Sequence, residues 1–126
     1  MSISKLPSSE LKVMQYIWSQ SKKNSSKEII IEMSEKNNWK QTTTLTVLSR
    51  LKEKKFLKVE KIGRYSYYES LIEEDTYIDY ETSNFMDTFY QGSLKKLLSS
   101  LNDKCKIEKN QLEDIEDWLT NLKKDK

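Results

Sequence analysis

The segment QTTTLTVLSRLKEKK, residues 41–55, constrains the fold of this chain more than any other. Apolar residues recur in it at helical spacing, which turns Leu45, Leu48 and Leu51 towards one side of a helix. From Leu57 onward apolar and polar residues alternate, which is the period of a half-buried strand. The pattern therefore predicts a change from helix to sheet immediately after this segment.

Another side of the predicted helix carries small hydroxyl groups. Thr and Ser are only moderate helix formers, so a helical face made of them favours close approach to a phosphate backbone and to base edges. Basic residues crowd the C-terminal end of the same helix. We interpret the segment as a recognition helix for the major groove of DNA. The residues predicted to contact DNA are Thr42, Thr43, Thr46, Ser49, Arg50 and Lys54.

Two helices are predicted before the recognition helix. Ser8 or Ser9 is expected to cap the first, which carries an apolar stripe. Ser25 and Glu28 have the spacing of a capping box at the start of the second, in which each side chain accepts a hydrogen bond from the other residue's backbone. Trp39 lies in the break before the third helix and is expected to fill the core beneath it.

Two strand-like runs follow the recognition helix. They occupy residues 56–62 and 65–70, with Gly63 and Arg64 between them, which is typical of a β-hairpin. Three helices followed by a hairpin are typical of a winged helix-turn-helix. Lys61 and Arg64 in such a wing are predicted to meet phosphates or the adjacent minor groove.

Charge divides the chain into two parts. Residues 1–71 hold 14 Lys and Arg against 7 Asp and Glu, whereas residues 72–126 hold 8 against 13. A basic part followed by an acidic part indicates a polyanion-binding domain and a domain with another task. We predict a mainly α-helical protein with a winged-helix DNA-binding domain at residues 1–71 and a helical dimerisation domain at residues 72–126.

The second domain is predicted to contain three helices. The first starts near Glu73 and breaks at Gln91, the second ends before a loop at residues 102–109, and Asn110 with Glu113 caps the third. Three short helices can barely enclose a core of their own, and this domain has more apolar side chains than such a core can bury. We therefore predict that these side chains pair with a second copy of the chain. The alternative is that they pack onto the winged helix of the same chain. Two-fold pairing would place recognition helices about 34 Å apart on a palindromic operator. The predicted interface residues are Tyr77, Phe85, Phe89, Leu97, Leu98, Leu101, Leu119 and Leu122.

Composition excludes several kinds of site. The chain has no His and a single cysteine, Cys105, so neither a Ser-His or Cys-His catalytic pair nor an intrachain disulfide can form. We expect no enzyme activity, no cofactor and no bound metal. With no long apolar run, a cytoplasmic protein without membrane insertion is expected.

Cys105 lies between two lysines, which favours a reactive thiol, although the simpler interpretation gives it no role. Trp18, Trp39 and Trp118 have apolar neighbours and are expected in the core.

Three motifs occur together in this chain. The first helix has the pattern E-x3-M-x3-W from Glu10 to Trp18, and the pattern W-x3-T-x2-T-x-L-x-R-L-x2-K runs from Trp39 to Lys54. Tyr67 and Tyr68 lie at the end of the wing. With these motifs the sequence resembles the penicillinase-repressor (BlaI/MecI/CopY) family, and the likeness extends over nearly the whole chain.

The resemblance implies a homodimeric transcriptional repressor that binds a palindromic operator ahead of antibiotic-resistance or copper-homeostasis genes. In the β-lactam branch of the family, a membrane-sensor zinc protease detects the drug, and the repressor is then cleaved within its dimerisation domain. By position, cleavage is implied near Ser100 and Leu101, where the family's usual Asn-Phe pair is absent. The implied partners are double-stranded operator DNA, a second copy of this chain and the sensor protease.

Two positions depart from the family's pattern. Leu45 stands where the best-known staphylococcal members have a basic residue, and an apolar side chain there is suited to a thymine methyl group. Leu45 is therefore added to the predicted DNA contacts. Lys55 stands where many members have Gly at the end of the recognition helix, which predicts that this helix continues slightly further.

Two alternatives stay open. One is a repressor of the same family that answers another signal, such as copper; the copper branch uses paired C-x-C motifs, and one Cys without His excludes a closed metal site within one chain. The other is a winged-helix adaptor that binds protein and whose basic face only confers solubility. A DNA binder loses affinity steeply with salt, and an adaptor of this kind does not.

Overall fold

The structure is a computed structural model that describes residues 3–125 and, at Cys105, the backbone alone. Within these residues lie six helices and an antiparallel sheet of strand order β1-β3-β2, which confirms the predicted mainly helical fold with a winged helix. No helix in the described residues is long and apolar enough to cross a membrane. In chain order the elements are α1 (Ser8–Ser19), β1 (Asn24–Ser25), α2 (Ser26–Asn37), α3 (Gln41–Glu53), β2 (Leu57–Ile62), β3 (Tyr65–Ser70), α4 (Glu74–Tyr90), α5 (Leu94–Cys105) and α6 (Lys109–Lys124).

The apolar core of the winged helix lies between α1, α2, α3 and the sheet. The buried stripe of α1 contains Val13, Met14 and Ile17, and α2 adds Ile29 and Met33, because residues three and four apart share one helical face. Each fully buried aliphatic side chain contributes about 1.5–3 kcal/mol through its removal from water. The other buried apolar residues are Leu6, Val47, Leu48, Leu51, Phe56, Leu57, Ile72 and Tyr77.

The predicted helix cap is right for α2 and wrong for α1. At α2 the Ser25 hydroxyl accepts a hydrogen bond from the Glu28 N–H, and a Glu28 carboxylate oxygen accepts one from the Ser25 N–H, both at 3.2 Å. The bond from the Ser25 backbone is the main reason that the pKa of Glu28 is lowered. At α1 the N-cap is Pro7, and Ser8 and Ser9 already lie in the first turn, where helical backbone prevents them from acting as a cap.

The buried face of α3 is shifted in phase from the predicted one. Thr44, Val47, Leu48 and Leu51 are buried, whereas Leu45 is 39% exposed. The expectation that Leu45 shares the core side with Leu48 and Leu51 is wrong, because the buried helical stripe runs through Thr44. The Thr44 hydroxyl has no hydrogen-bond partner within the described part of the chain.

The recognition helix ends in a sharp reversal towards the sheet. Lys54 is its C-cap, and Lys55 has a left-handed backbone with φ 65°. The Lys55 N–H donates to the Lys52 carbonyl at 3.0 Å, and the Phe56 N–H donates to the Leu51 carbonyl at 2.9 Å. These bonds form a Schellman motif, which stops the helix. The prediction that α3 continues further is therefore wrong, since Lys55 adopts the conformation that a glycine would supply.

Replacing Lys55 by glycine is expected to raise the free energy of unfolding by about 0.5–1 kcal/mol, because glycine adopts a positive φ without steric cost. Urea unfolding followed by circular dichroism measures the change. The matched control is Lys52→Gly, inside the helix, which is expected to lower the free energy of unfolding by about 1 kcal/mol. A Lys55→Gly variant that is less stable than the parent chain would contradict the left-handed backbone at this position.

The predicted hairpin is present and forms the wing. β2 and β3 pair antiparallel along their whole lengths, and Gly63 in the turn has φ 64°. A positive φ at the first of two turn residues is typical of a type II′ turn, which suits the twist of the strands. The sequence did not predict β1, which pairs with Tyr67 and Tyr68 of β3, because two residues are too few to show alternation.

Two compact units divide between Glu81 and Thr82. The boundary predicted from the sequence lies earlier, before Ile72. Ile72 and Tyr77 are 6% and 3% exposed and belong to the core of the winged-helix unit. The Tyr77 hydroxyl also accepts a hydrogen bond from the Leu6 N–H at 2.9 Å. The start of α4 is therefore part of the winged-helix unit.

The end of α5 and the start of α6 differ from the predicted ones. α5 continues to Cys105 through residues that were predicted as a loop, because a polar run does not by itself stop a helix. Lys106 ends it with φ 52°. The capping box of α6 consists of Glu108 and Gln111, two residues before the predicted pair, with a Gln111 side-chain oxygen accepting from the Glu108 N–H at 3.3 Å.

Candidate nucleic-acid interface

One face of α3 is free of the core and carries the hydroxyl groups that the sequence singled out. Helical spacing separates this face from the buried stripe through Thr44 and Leu51. Most of the side chains along it are short hydroxyl side chains, so the helix backbone can approach a flat or grooved partner closely. The exposed residues on α3 that were predicted to contact DNA are Thr42, Thr43, Leu45, Thr46, Ser49 and Arg50.

A concavity of about 330 Å³ lies on this face. It brings four of the predicted DNA contacts together, but Leu45 and Ser49 are not part of it. Its lining also includes Ser9 of α1, which sequence reasoning did not select, because only the packing of α1 beside α3 places it there. The lining residues are Ser9, Thr42, Thr43, Thr46, Val47 and Arg50.

The hydroxyl of Thr46 is already used as a donor. It donates a hydrogen bond to the Thr42 carbonyl at 2.9 Å. A hydroxyl whose proton is used in this way can only accept a further hydrogen bond. Phosphate oxygens also only accept, so Thr46 in this rotamer is suited to a base amino group or, through its methyl, to a thymine methyl group.

Positive charge is available on α3 and on the wing. Arg50, Lys52, Lys61 and Arg64 are exposed and form no ion pair with any residue that the structure describes. Cations that are not neutralised by neighbouring carboxylates attract a polyanion. The recognition helix and the wing therefore both present charge suited to phosphates.

Lys54 differs from the other predicted contacts. Its Nζ lies 2.5 Å from Oε1 of Glu10, whose side chain is only 2% exposed. The Lys54 side chain itself is 34% exposed. Its charge is thus engaged within the protein, unlike that of Arg50.

A second set of ion pairs connects the two strands of the wing with Lys23, which lies in the turn before α2. The Lys23 ammonium lies 2.9 Å from Glu60 on β2 and 3.9 Å from Glu69 on β3. The hydrogen bond between Lys23 and Glu60 raises the pKa of Lys23 and lowers that of Glu60. Lys58 lies 3.5 Å from Glu69 as well, so its charge is shared with this cluster at the root of the wing.

The second unit exposes many apolar side chains. Among the predicted interface residues, Phe85, Phe89 and Leu101 are exposed. The prediction that Trp118 packs in the core is wrong, since it is 55% exposed, whereas Trp18 and Trp39 are half-buried against the core as expected. The predicted interface residues that are half-buried are Leu97, Leu98, Leu119 and Leu122. Exposed apolar residues that the prediction missed are Leu94, Leu112 and Trp118.

Tyr77 does not fit the predicted dimer interface. It is 3% exposed, and its ring lies 5.7 Å from that of Trp18 and 5.8 Å from that of Phe56. The apolar stripe of α4 suggested an interface, but at Tyr77 this stripe packs into the core of the winged-helix unit. Tyr77 is therefore a core residue and is not available to a second copy.

The segment in which the resemblance implies cleavage lies within α5. The Ser100 hydroxyl accepts a hydrogen bond from the Tyr90 hydroxyl at 3.2 Å, and Leu101 is 42% exposed. The backbone at these residues is helical. Access to this peptide bond in extended form would therefore require local unfolding of α5.

The described residues contain no group of three or more His, Cys, Asp or Glu side chains placed to hold a metal ion. The Cys105 side chain, for which a reactive thiol and no role were both considered, lies outside the described residues.

Known proteins resemble this chain over nearly its full length. A sequence model for a family described as penicillinase repressor matches residues 6–121. A penicillinase repressor of Bacillus licheniformis is 34% identical over 126 residues, which cover 98% of this chain and 98% of the relative. The methicillin resistance regulatory protein MecI of Staphylococcus aureus (strain N315) is 31% identical over 115 residues, which cover 90% of this chain and 92% of MecI.

Solved structures of the repressor BlaI resemble part of the chain. The solution structure of the DNA-binding domain of the repressor BlaI is 36% identical, has a TM-score of 0.55 and covers 60% of this chain and 92% of that domain. The monomeric form of Bacillus licheniformis BlaI in complex with the blaP half-operator has a TM-score of 0.53 at the same identity and coverage.

Proposed function

The chain belongs to the penicillinase repressor family of DNA-binding transcriptional repressors, and on this premise we propose that it is a homodimer that binds an inverted-repeat operator. It acts in the cytoplasm on double-stranded DNA. The regulated genes are those of β-lactam resistance, and repression ends when the chain is cleaved in its second unit. The relatives named for penicillinase repression and methicillin resistance support this choice of genes.

The observation that carries the proposal is the exposed hydroxyl face of α3 with its concavity. The face lies on the third helix of a winged helix, and a BlaI structure with similar fold and 36% identity was solved with a half-operator. Short hydroxyl side chains allow α3 to lie deep in a major groove, where base edges carry a distinct pattern of donors and acceptors.

Each predicted contact has a distinct role in this proposal. Thr43 and Thr46 meet base edges, and Leu45 meets a thymine methyl group. Arg50 binds phosphate, since its neighbour Leu51 is buried and fixes the start of the side chain. The remaining contacts, which position the domain without reading bases, are Ser9, Thr42, Ser49, Lys61 and Arg64.

Exposed apolar side chains in the second unit support the homodimer. Phe89 and Trp118 are 61% and 55% exposed, which is costly for large aromatic side chains in water. An interface that removes about 1,500 Å² of such surface from water is of the usual size for a stable complex. Two winged helices on one dimer hold a palindrome far more tightly than either alone, because the second binds at high effective concentration.

Cleavage near Ser100 is proposed as the event that ends repression. It would separate α6 and the end of α5 from the rest of the chain while leaving the buried core of the winged-helix unit, from Leu6 to Tyr77, intact. The membrane-sensor zinc protease of the family is the proposed partner for this step. Folded winged helices would remain, but without the dimer they would no longer stay on the operator.

Salt dependence tests DNA binding through the proposed face. Affinity for a selected inverted-repeat duplex is measured by fluorescence anisotropy at several salt concentrations. The slope of log affinity against log salt is expected to be steep, and Arg50→Met is expected to reduce its magnitude by about 0.9 for each protomer bound. The control Lys124→Met, at the end of α6, removes the same charge and is expected to leave the slope unchanged.

A flat salt response, together with no duplex selected from random DNA, would contradict the proposal and favour the protein-binding adaptor. A steep slope that Arg50→Met leaves unchanged would contradict the role of Arg50 while retaining DNA binding.

A further inference from the structure

An ion pair between a buried carboxylate and a partly exposed ammonium joins α1 to the end of the recognition helix. Glu10, in the first turn of α1, is the only charged residue among the buried side chains of the described chain. Within the described residues its carboxylate has one cationic partner, the Lys54 ammonium at 2.5 Å. The pair joins the N-terminal turn of α1 to the C-cap of α3, and the two residues are far apart in sequence.

Stability alone gives no reason for this pair. Removing a carboxylate from water carries a large desolvation penalty, and well-packed apolar residues of similar volume usually stabilise a core as well or better. An ion pair with a buried carboxylate is instead directional, because it is favourable only when the two groups meet in one geometry. The best-attested role of such pairs is to specify one arrangement over its competitors.

The ion pair lies next to both elements that are proposed to contact DNA, the recognition helix α3 and the wing. Lys54 is followed at once by the left-handed Lys55, and the chain then enters β2 of the wing. Glu10 is preceded by Ser9, which lines the concavity with Thr43 and other residues of α3. One ionic contact therefore joins the start of α1, beside the concavity, to the end of the recognition helix, beside its junction with the wing.

We propose that Glu10 and Lys54 are positioning residues for operator recognition, and that Lys54 is not a phosphate contact. This inference rests on the proposed function, since it concerns how the chain distinguishes its operator from other DNA. The pair sets the pose of α3 relative to the wing, so that Thr43 and Thr46 meet base edges while Arg64 meets the backbone. It also neutralises the Glu10 carboxylate, which would otherwise lie near the DNA-binding face as an uncompensated negative charge.

The test compares Lys54→Met with the double variant Glu10→Leu/Lys54→Met, which replaces the pair by apolar side chains. Affinities for the inverted repeat and for a scrambled duplex of equal length are measured over a range of salt. We expect the double variant to unfold at a temperature near that of the parent chain and to lose at least about 10-fold in the ratio of the two affinities. Its salt slope should remain that of the parent, whereas Arg50→Met reduces the slope.

A measurement on the unaltered chain covers the case in which the variants do not fold. Lysine acetylation read by mass spectrometry reports the reactivity of each amine with and without operator. We expect Lys54 to be acetylated more slowly than exposed Lys52 in the free protein. Binding of the operator should leave the acetylation rate of Lys54 unchanged. Protection of Lys54 by the operator would overturn the proposal.

The remaining outcomes separate the two hypotheses. A folded double variant that keeps the parental affinity ratio, or a Lys54→Met variant whose salt slope falls as that of Arg50→Met does, overturns the positioning role alone. A parent chain that selects no inverted repeat overturns the proposed function and, with it, the positioning role.

Discussion

A chain that ends at Ser100 is expected to bind an inverted-repeat operator at least about 100-fold more weakly than the full-length chain, because it loses the linkage of two DNA-binding units. The truncation removes α6 and the exposed apolar residues Leu101, Leu112 and Trp118. It leaves every buried residue of the winged-helix core, which ends at Tyr77. The loss of affinity should therefore come from loss of the dimer and not from unfolding.

Anisotropy titrations measure this effect, with circular dichroism as the check that the truncated chain is folded. A half-operator duplex is the matched control, since one winged helix occupies it and the two chains should bind it with affinities within about threefold of each other. Equal affinity of the two chains for the full inverted repeat would contradict the proposed role of the second unit.

Replacing Thr46 by glutamate is expected to weaken operator binding by about 100-fold or more, because like charges brought together at an interface cost several kcal/mol. Thr46 is exposed on α3 and lines the concavity beside Arg50. The carboxylate would meet phosphates and base acceptors, and it would pair with the Arg50 guanidinium. The variant should remain as stable as the parent, since glutamate is a better helix former than threonine.

Thr76→Glu is the matched control for this substitution. Thr76 is exposed on α4 within the winged-helix unit, so the change in residue and in net charge is the same. We expect it to weaken binding by no more than about threefold through its long-range charge. If Thr46→Glu and Thr76→Glu weaken binding equally, the effect comes from net charge, and the concavity on α3 is not the DNA-binding face.

Much of the fold follows from local sequence patterns. The capping box of Ser25 and Glu28, the hairpin around Gly63 and the break at Gln91 are present as predicted, because each depends on residues that lie next to one another in the chain. Helical spacing likewise predicted an exposed hydroxyl face on α3. Local patterns carry this information because hydrogen bonding and backbone sterics act over a few residues.

Features that depend on packing between distant segments could not be predicted in this way. The Glu10 to Lys54 pair and the position of Ser9 beside α3 arise only when α1 packs against α3. The apolar stripe of α4 does not reveal that Tyr77 packs in the core of the winged-helix unit while Phe89 stays exposed. Periodicity gives the face of a helix, but it does not identify the partner of that face.

Sedimentation velocity of the full-length chain with an inverted-repeat duplex tests the central proposal most directly. At micromolar concentration we expect a dimer without DNA and a complex of two chains with each duplex. Single protomers in solution, with one chain on each duplex and no preference for the inverted repeat over a half-site, would contradict it.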